Sequence, residues 1–344
     1  MRVEDLLDTA AIQALCAPSI DEFNLTMRGA AWDIDFVQIE RGAKPVDAFA
    51  CASASVSLLR VEFRNRIHQQ GNPPPGKLTF GIPAQIEGSF RFGAREEPFE
   101  SILGFSGSTG FDCVSDRGHQ GYTLSFVSER LSESARILGQ PAIEEMTVNR
   151  GAVRHPGPAK LAALRRALAT LFQGAEQPQA ARAMPAFAAA IESELPLIFL
   201  QCWNEASSPG QVPAKNRSRV VTRARDYIDA HAKEAITVAD VCRAASCSLS
   251  TLGRAFRAHF GVSPKLYLTA VRLAGVRRSL LTTGAPVGDA AAEWGFWHFS
   301  KFAQDYKRMY RELPSATRSR VAGVRSRQQI LVPGAGVEPT HPCG

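Results

Sequence analysis

The chain has 344 residues, 45% of them hydrophobic, which is enough for two domains with real cores. Its net charge of +7 is unevenly placed: residues 217–320 carry 18 Lys/Arg against 8 Asp/Glu, and residues 1–216 carry 20 against 24. That excludes a uniformly basic protein and confines a polyanion partner to the C-terminal part, a merely solvated basic surface being the alternative.

In chain order, MRVEDLLDTAAIQ shows no basic-then-apolar leader, and the first ~20 residues read as a short helix. From Ala31 to about Val127 the pattern is that of strands. Trp32–Phe36 and Leu59–Phe63 alternate apolar and polar, and shorter runs follow at Lys77–Ile82, Ser89–Phe92, Phe99–Phe105 and Tyr122–Val127. Turn signals such as Gly71-Asn72-Pro73-Pro74-Pro75-Gly76 separate them, so a small barrel or sandwich is expected. Helices are expected over Lys160–Phe172 and Met184–Trp203, the second with an apolar face wide enough for a dimer or for packing on its own chain. The apolar run around Leu195–Leu200 is far short of the ~20 residues of a membrane span. Glu205–Asn216 has linker composition, and the tail 321–344 has no periodicity and reads as disordered.

Residues Thr237 to Pro314 say one thing twice. TVADVCRAASCSLSTLGRAFRAHFGVSP is followed by PVGDAAAEWGFWHFSKFAQDYKRMYRELP, with Val238 matching Val287 and Asp240 matching Asp289. One extra residue in the second turn then puts Leu252 on Phe302, Phe256 on Tyr306, Phe260 on Tyr310 and Pro264 on Pro314. Each copy is a short Ala-rich helix, a tight turn and a basic second helix, the helix-turn-helix pattern. In the first, Thr237 and Asp240 make a capping box, Ser246-Cys247-Ser248 turns, and Leu249, Leu252, Phe256 and Phe260 form an inward stripe. Ser250, Arg254 and Arg257 point the other way. The second turns at Gly295, buries Phe299, Phe302, Tyr306 and Tyr310, and presents Ser300, Gln304 and Lys307. Ser263-Pro264 opens a connecting helix that runs to about Leu281 and stops at Thr282-Thr283-Gly284. Such a helix spans roughly 28 Å at ~1.5 Å per residue. Successive major-groove faces on one side of B-DNA lie about 34 Å apart, so two recognition helices of one chain suit adjacent grooves.

Arg217 to Arg318 resembles the DNA-binding domain of the AraC/XylS family of bacterial transcription regulators. The shared features are F-R-x-x-F-G-x-S-P at Phe256–Pro264, Y-L-x-x-x-R-L at Tyr267–Leu273, G-F-W-H-x-S-x-F at Gly295–Phe302, and Leu313-Pro314-Ser315. Ser246 stands where the family usually has Gly, and Gly253 replaces a larger side chain that often touches a base, so the first recognition helix would read its site thinly. The strand-rich section resembles the cupin-like sensory domain found ahead of such domains. The resemblance implies an α+β multidomain protein. An N-terminal cupin-like β-barrel with helices (1–150) would be followed by a helical region (151–204), a linker (205–216), an all-α domain with two helix-turn-helix motifs joined by a linker helix (217–320), and the tail.

For base contact the outward face of the first unit offers Ser250 and Arg254, the resemblance implies His298, Ser300, Lys301 and Gln304 as the groove-facing positions of the second, and Arg257, Lys307 and Arg308 suit phosphates. Arg254 suits a guanine O6/N7 pair, with a phosphate contact or a free surface position as alternatives, and His298 serves equally as a cap. Trp294 and Trp297 read as core and turn packing. His68, His119 and His155 form no His-x-His pair, and Cys16, Cys51 and Cys113 are far apart. Cys202, Cys242, Cys247 and Cys343 make no CxxC either, with Cys242 and Cys247 read as small buried thiols. Catalysis, a metal and a cofactor are therefore not expected. The expectation is a cytoplasmic regulator whose partners are double-stranded promoter DNA, RNA polymerase, an unknown small-molecule effector and, with the wide apolar helix face, a second copy. An effector-independent dimeric activator with a structural barrel is the alternative.

Overall fold

The computed structural model describes residues 11–30, 32–85, 90–93, 95–140, 153–176, 184–204, 206 and 216–320. Strand β1 (Ala11–Ala17) comes first and helix α1 (Ile20–Gly29) second, so the helix expected over the first ~20 residues is displaced. Ser19 decides where it starts: its hydroxyl accepts from the Asp21 N–H, and Asp21 and Glu22 sit in the first turn.

Two antiparallel sheets follow. The larger orders its strands β1-β3(Val46–Ala52)-β4(Val56–Phe63)-β11(His119–Val127)-β6(Lys77–Gln85)-β9(Ile102–Phe105)-β12(Val153–Arg154). The smaller runs β2(Asp33–Gln38)-β5(Ile67–Asn72)-β10(Phe111–Ser115)-β7(Phe90–Phe92)-β8(Arg95–Glu97). Among the described residues no strand pairing joins the two, and neither closes on itself, so the expected barrel appears as two open sheets. Their edges β12 and β8 have two and three residues, too short to carry a closing ladder. Between the sheets, Phe36, Phe63, Ile67, Phe90, Leu103 and Phe111 pack with Phe23 of α1.

The outer face of the larger sheet carries Phe49, Leu58, Phe80, Leu124 and Phe126. Helices α2 (Ser128–Ile137), α3 (Pro158–Ala175), α4 (Met184–Ser193) and α5 (Leu195–Asn204) cover it. The single helix expected over Met184–Trp203 is broken at Glu194, because Pro196 offers no N–H and its ring bars continuation of the preceding turn. The apolar face of α5 is spent on its own chain: Phe199 and Trp203 meet Phe80 at ring separations of 4.4 and 5.0 Å.

The smaller sheet turns its outer face to the C-terminal helices. These are α6 (Asn216–His231), α7 (Val238–Ala244), α8 (Leu249–Phe260), α9 (Pro264–Thr282), α10 (Val287–Glu293) and α11 (Phe299–Tyr310), with a last helical stretch at 314–320. Val37, Ile39 and Val114 of the sheet belong to the same continuous apolar core as Ile228, Phe256, Tyr267 and Tyr306. Most of the linker lies outside the described residues, as does the tail. No described helix is long and apolar enough to cross a membrane.

Candidate nucleic-acid interface

Local rules build the first unit. The Thr237 N–H donates to Asp240 Oδ2 at 2.7 Å and the Asp240 N–H returns to Thr237 Oγ1, closing the capping box at the start of α7. The Thr237 hydroxyl and backbone hold the Asp240 carboxyl below its ordinary range. The chain turns at Ser246 in the left-handed region (φ 50), and Ser248 caps α8 by accepting from the Thr251 N–H. Leu252, Ala255, Phe256 and Phe260 are buried, while Ser250, Arg254 and Arg257 are exposed. Helix α8 ends on Gly261 at φ 74, where the missing Cβ lets the Arg66 guanidinium, itself on Asp116 at 2.8 Å, lie against the turn.

Ser263 caps α9 and Pro264 occupies its first turn. This helix is apolar and buried on most sides: Tyr267, Leu268, Ala270, Leu273, Val276 and Leu280 all face core. It spans 19 residues, and Gly284 follows its C-cap at φ 68. Gly275 gives the Trp294 indole a flat seat where a Cβ would stand inside the ring, and Trp294 Nε1 donates to Ser279 Oγ at 3.3 Å.

The second unit repeats the plan without side-chain caps at Pro286 or His298. It turns on Gly295 (φ 76), buries Phe302, Tyr306, Met309 and Tyr310, and exposes His298, Ser300, Lys301, Gln304, Lys307 and Arg308. Three apolar residues depart from expectation. Leu249 is 65% exposed, Phe299 53% and Trp297 70%. Each stands at or before the start of its recognition helix, ahead of the first inward position, so no turn of helix covers it. Cys242 and Cys247 are half-buried free thiols rather than fully buried ones.

Electrostatics separate the cations into two groups. Among the described residues Arg254, Arg257, Lys301 and Lys307 make no ion pair, and Arg308 leans on Asp305 at 3.6 Å. The other basic residues of the domain are largely committed: Arg272 donates to the carbonyls of Ala232, Glu234 and Ile236, and Arg225 pairs with Asp112. Among the described residues Arg219, Arg223 and Lys265 also make no ion pair, and the rest of the uncommitted charge lies on the outward faces of α8 and α11. Nothing in the fold consumes it.

Two buried polar clusters fix this domain to the sheets, and the sequence marks neither. Arg277 in α9, 3% exposed, stands 3.2 Å from Asp21, 3.1 Å from Glu22 and 2.6 Å from Glu312, and donates to Tyr306 and Thr317 hydroxyls. Burial disfavours its charge, yet Asp21, Tyr306 and Glu22 outweigh that and raise its pKa. Asp21 lies deepest among the acids, and burial pushes its carboxyl up to about 7 against the pull of Arg277. The second cluster sits on the sheet's outer face. The Tyr267 hydroxyl meets His68 Nδ1 at 3.0 Å, and Asp112 Oδ1 stands 3.4 Å from His68 Nε2 and 3.7 Å from His259 Nε2 without a hydrogen bond to either. Burial lowers both imidazoles to about 3 and keeps them neutral, against the pull of Asp229 on His68 and with the help of His68, Arg91 and Arg225 at His259. His119 lies between the rings of Phe63 and Phe90, lowered by burial to about 4, and His155 stands 3.5 Å from Glu97. Among the described residues no group of three His, Cys, Asp or Glu has the geometry of a metal site.

With the two units in view, known proteins can be compared. A family model described as a helix-turn-helix domain matches residues 241–320. The probable thc operon regulatory protein of Rhodococcus erythropolis is 34% identical over 99 residues, 28% of this chain and 30% of that protein. The XylDLEGF operon transcriptional activator 3 of Pseudomonas putida is 31% identical over 98 residues, again 28% of this chain and 30% of that protein. The C-terminal segment is an AraC-type helix-turn-helix domain. A solved structure described as a probable AraC family transcriptional regulator from Rhodopseudomonas palustris is also similar, at TM-score 0.28 and 31% identity, covering 30% of this chain and 96% of that one. The chain spans less than a third of the length of these curated relatives. Both relatives are regulatory proteins by name.

Proposed function

We propose that this protein regulates transcription by gripping double-stranded promoter DNA with both helix-turn-helix units of one chain. The carrying observation is the row of unpaired cations, Arg254, Arg257, Lys301 and Lys307, on the outward faces of two capped or Gly-turned helices joined by a buried rod. Ser250 and Arg254 of α8 and His298, Ser300, Lys301 and Gln304 of α11 take the base edges; Arg257, Lys307 and Arg308 hold phosphates and set register. Hydroxyl-radical footprinting of the full chain on an enriched site is expected to protect two patches about 34 Å apart on one face of the duplex. No protection, or protection of one groove only, overturns this reading. Arg254→Ala is expected to weaken that site by about 1–3 kcal/mol and relax preference at one base pair, whereas equal weakening on random DNA assigns Arg254 to a phosphate.

The N-terminal sheets, a cupin-like sensory domain in this reading, control the grip through a small-molecule effector. The shared core of Val37, Ile39 and Val114 with the AraC-type domain supports coupling over a purely structural role for the sheets. An effector acts only by its difference in affinity for the two arrangements of that junction. Thermal melting across a metabolite panel checks it: ligand-specific stabilisation supports the sensor, and none across the panel favours the effector-independent activator. RNA polymerase and a second copy are the protein partners this reading calls for.

A further inference from the structure

Leu249 and Phe299 occupy one and the same position of the repeat. Leu252 aligns with Phe302, and three residues earlier each recognition helix opens on a large apolar side chain left in water, 65% and 53% exposed. Scattered exposed apolar residues are ordinary on protein surfaces. A matched pair, each the first residue of the second helix of its unit, is not scatter. Both helices are otherwise cleanly divided, with Leu252, Phe256 and Phe260 or Phe302, Tyr306 and Tyr310 inside. A helix can bury these residues only against something beyond the chain.

The surroundings say what that is. Ser248 and Ser250 flank Leu249, and His298 and Ser300 flank Phe299, all exposed. Helix α8 carries no acidic residue, and α11 carries one, Asp305. An apolar protein partner has no reason to require the same contact at matched positions of two units, whereas a ligand that itself repeats does. Duplex DNA repeats every turn, and its major groove offers one apolar feature, the C5-methyl of thymine. Recognition helices meet base edges with their N-terminal residues, where Leu249 and Phe299 stand.

We propose that Leu249 and Phe299 each read a thymine methyl group, one in each half of the bound site. This rests on the DNA-binding reading above and adds a specificity that the hydrogen-bonding residues do not supply. Trp297, 70% exposed and two residues before Phe299, widens the apolar edge of the second unit only, so the second half-site has the stronger preference for thymine.

The test uses the full chain. A site is enriched from a random duplex pool, and each of its thymines is then replaced singly by deoxyuridine, which keeps every hydrogen bond and removes only the methyl. Wild-type binding is expected to weaken about fourfold, the value of one buried methyl, at one thymine in the Leu249 half, and by more at one thymine in the Phe299 half. Phe299→Ser is expected to abolish the sensitivity in one half and retain it in the other, and Leu249→Ser the reverse. Both residues are exposed, so melting temperatures should be unchanged and a folding defect is separable. Specific binding that is indifferent to every thymine methyl, or sensitivity that persists in both variants, overturns the proposal and leaves the DNA-binding reading standing. Failure to enrich any sequence overturns both.

Discussion

The two helix-turn-helix units share one plan but keep it in different ways. In the first, side chains hold the helix starts, at Thr237 with Asp240 and at Ser248; in the second neither start is capped by a side chain. Ser246 and Arg311 are the two non-glycine residues with positive φ among the described residues, at 50° and 61°. Each stands where the other unit has glycine, Ser246 opposite Gly295 and Arg311 opposite Gly261. So one copy bears its strain in the turn and the other at the exit of its recognition helix. The second unit leans instead on tertiary contacts: Trp294 on Gly275, and Tyr306 with Glu312 and Thr317 on Arg277. What caps do locally in one copy, the connecting helix does in the other.

Arg277→Ala is the hardest blow to that contrast. Removing one partner of a buried ion pair costs about 3–5 kcal/mol, and here three carboxylates lose a cation. Denaturant titration measures the loss, and hydrogen exchange should find it concentrated in α11 rather than α8. Equal loss of protection in both helices would erase the distinction between the units. Gly275→Ala comes next, at about 1–3 kcal/mol, because the Trp294 ring must move and its gain in helix propensity does not offset that. A neutral or stabilising Gly275→Ala would show that the ring's seat is dispensable.

The first unit is instead sensitive to acid. Burial, with His68, Arg91 and Arg225 nearby, holds His259 on α8 neutral down to about pH 3, against an ordinary 6.5. Below pH 6.5 the unfolded chain therefore binds a proton there that the folded chain refuses. This part of the stability is intact above 6.5 and falls with pH by about 1.4 kcal/mol per unit. His259→Gln removes it, so the difference between variant and wild-type melting temperature should shift in the variant's favour from pH 6.5 to 5. A difference constant over that range would show that His259 takes its proton while folded. Smallest of all, Ser246→Gly should raise stability by about 1 kcal/mol through relief of the left-handed turn. Arg311→Gly should yield less, because the Arg311 guanidinium lies against Gly42 and would be lost with it.

The sequence was legible where the cause is local. The capping box, the Ser263-Pro264 start and the glycine stop at Gly284 are spelled by neighbours three or four residues apart. The strands at Asp33–Gln38, Val56–Phe63 and Lys77–Gln85 alternate or run apolar, and read correctly. Ile67–Asn72, reading IHQQGN, does not, since its outward residues are polar and are buried by another part of the chain. His68 becomes interior, and Gln70 half-buried, only because Tyr267 and Asp229 arrive opposite them. For the candidate site, all nine positions expected to contact DNA lie exposed, and so do Leu249 and Phe299, expected inward, and Trp297, expected as core or turn packing. Apolar character signals core within a helix, but not at or before the first turn of these two helices.

The Arg277 cluster joins the beginning of the chain to its far end: Glu22 meets a guanidinium 255 residues further on. On the ribosome, Ser19, Asp21 and Glu22 leave the exit tunnel long before any counter-charge exists. Their acidic pocket stays hydrated until α9 has been made and Glu312 and Thr317 follow it. The start of α1 therefore gains its buried counter-charge only once α9 has been made.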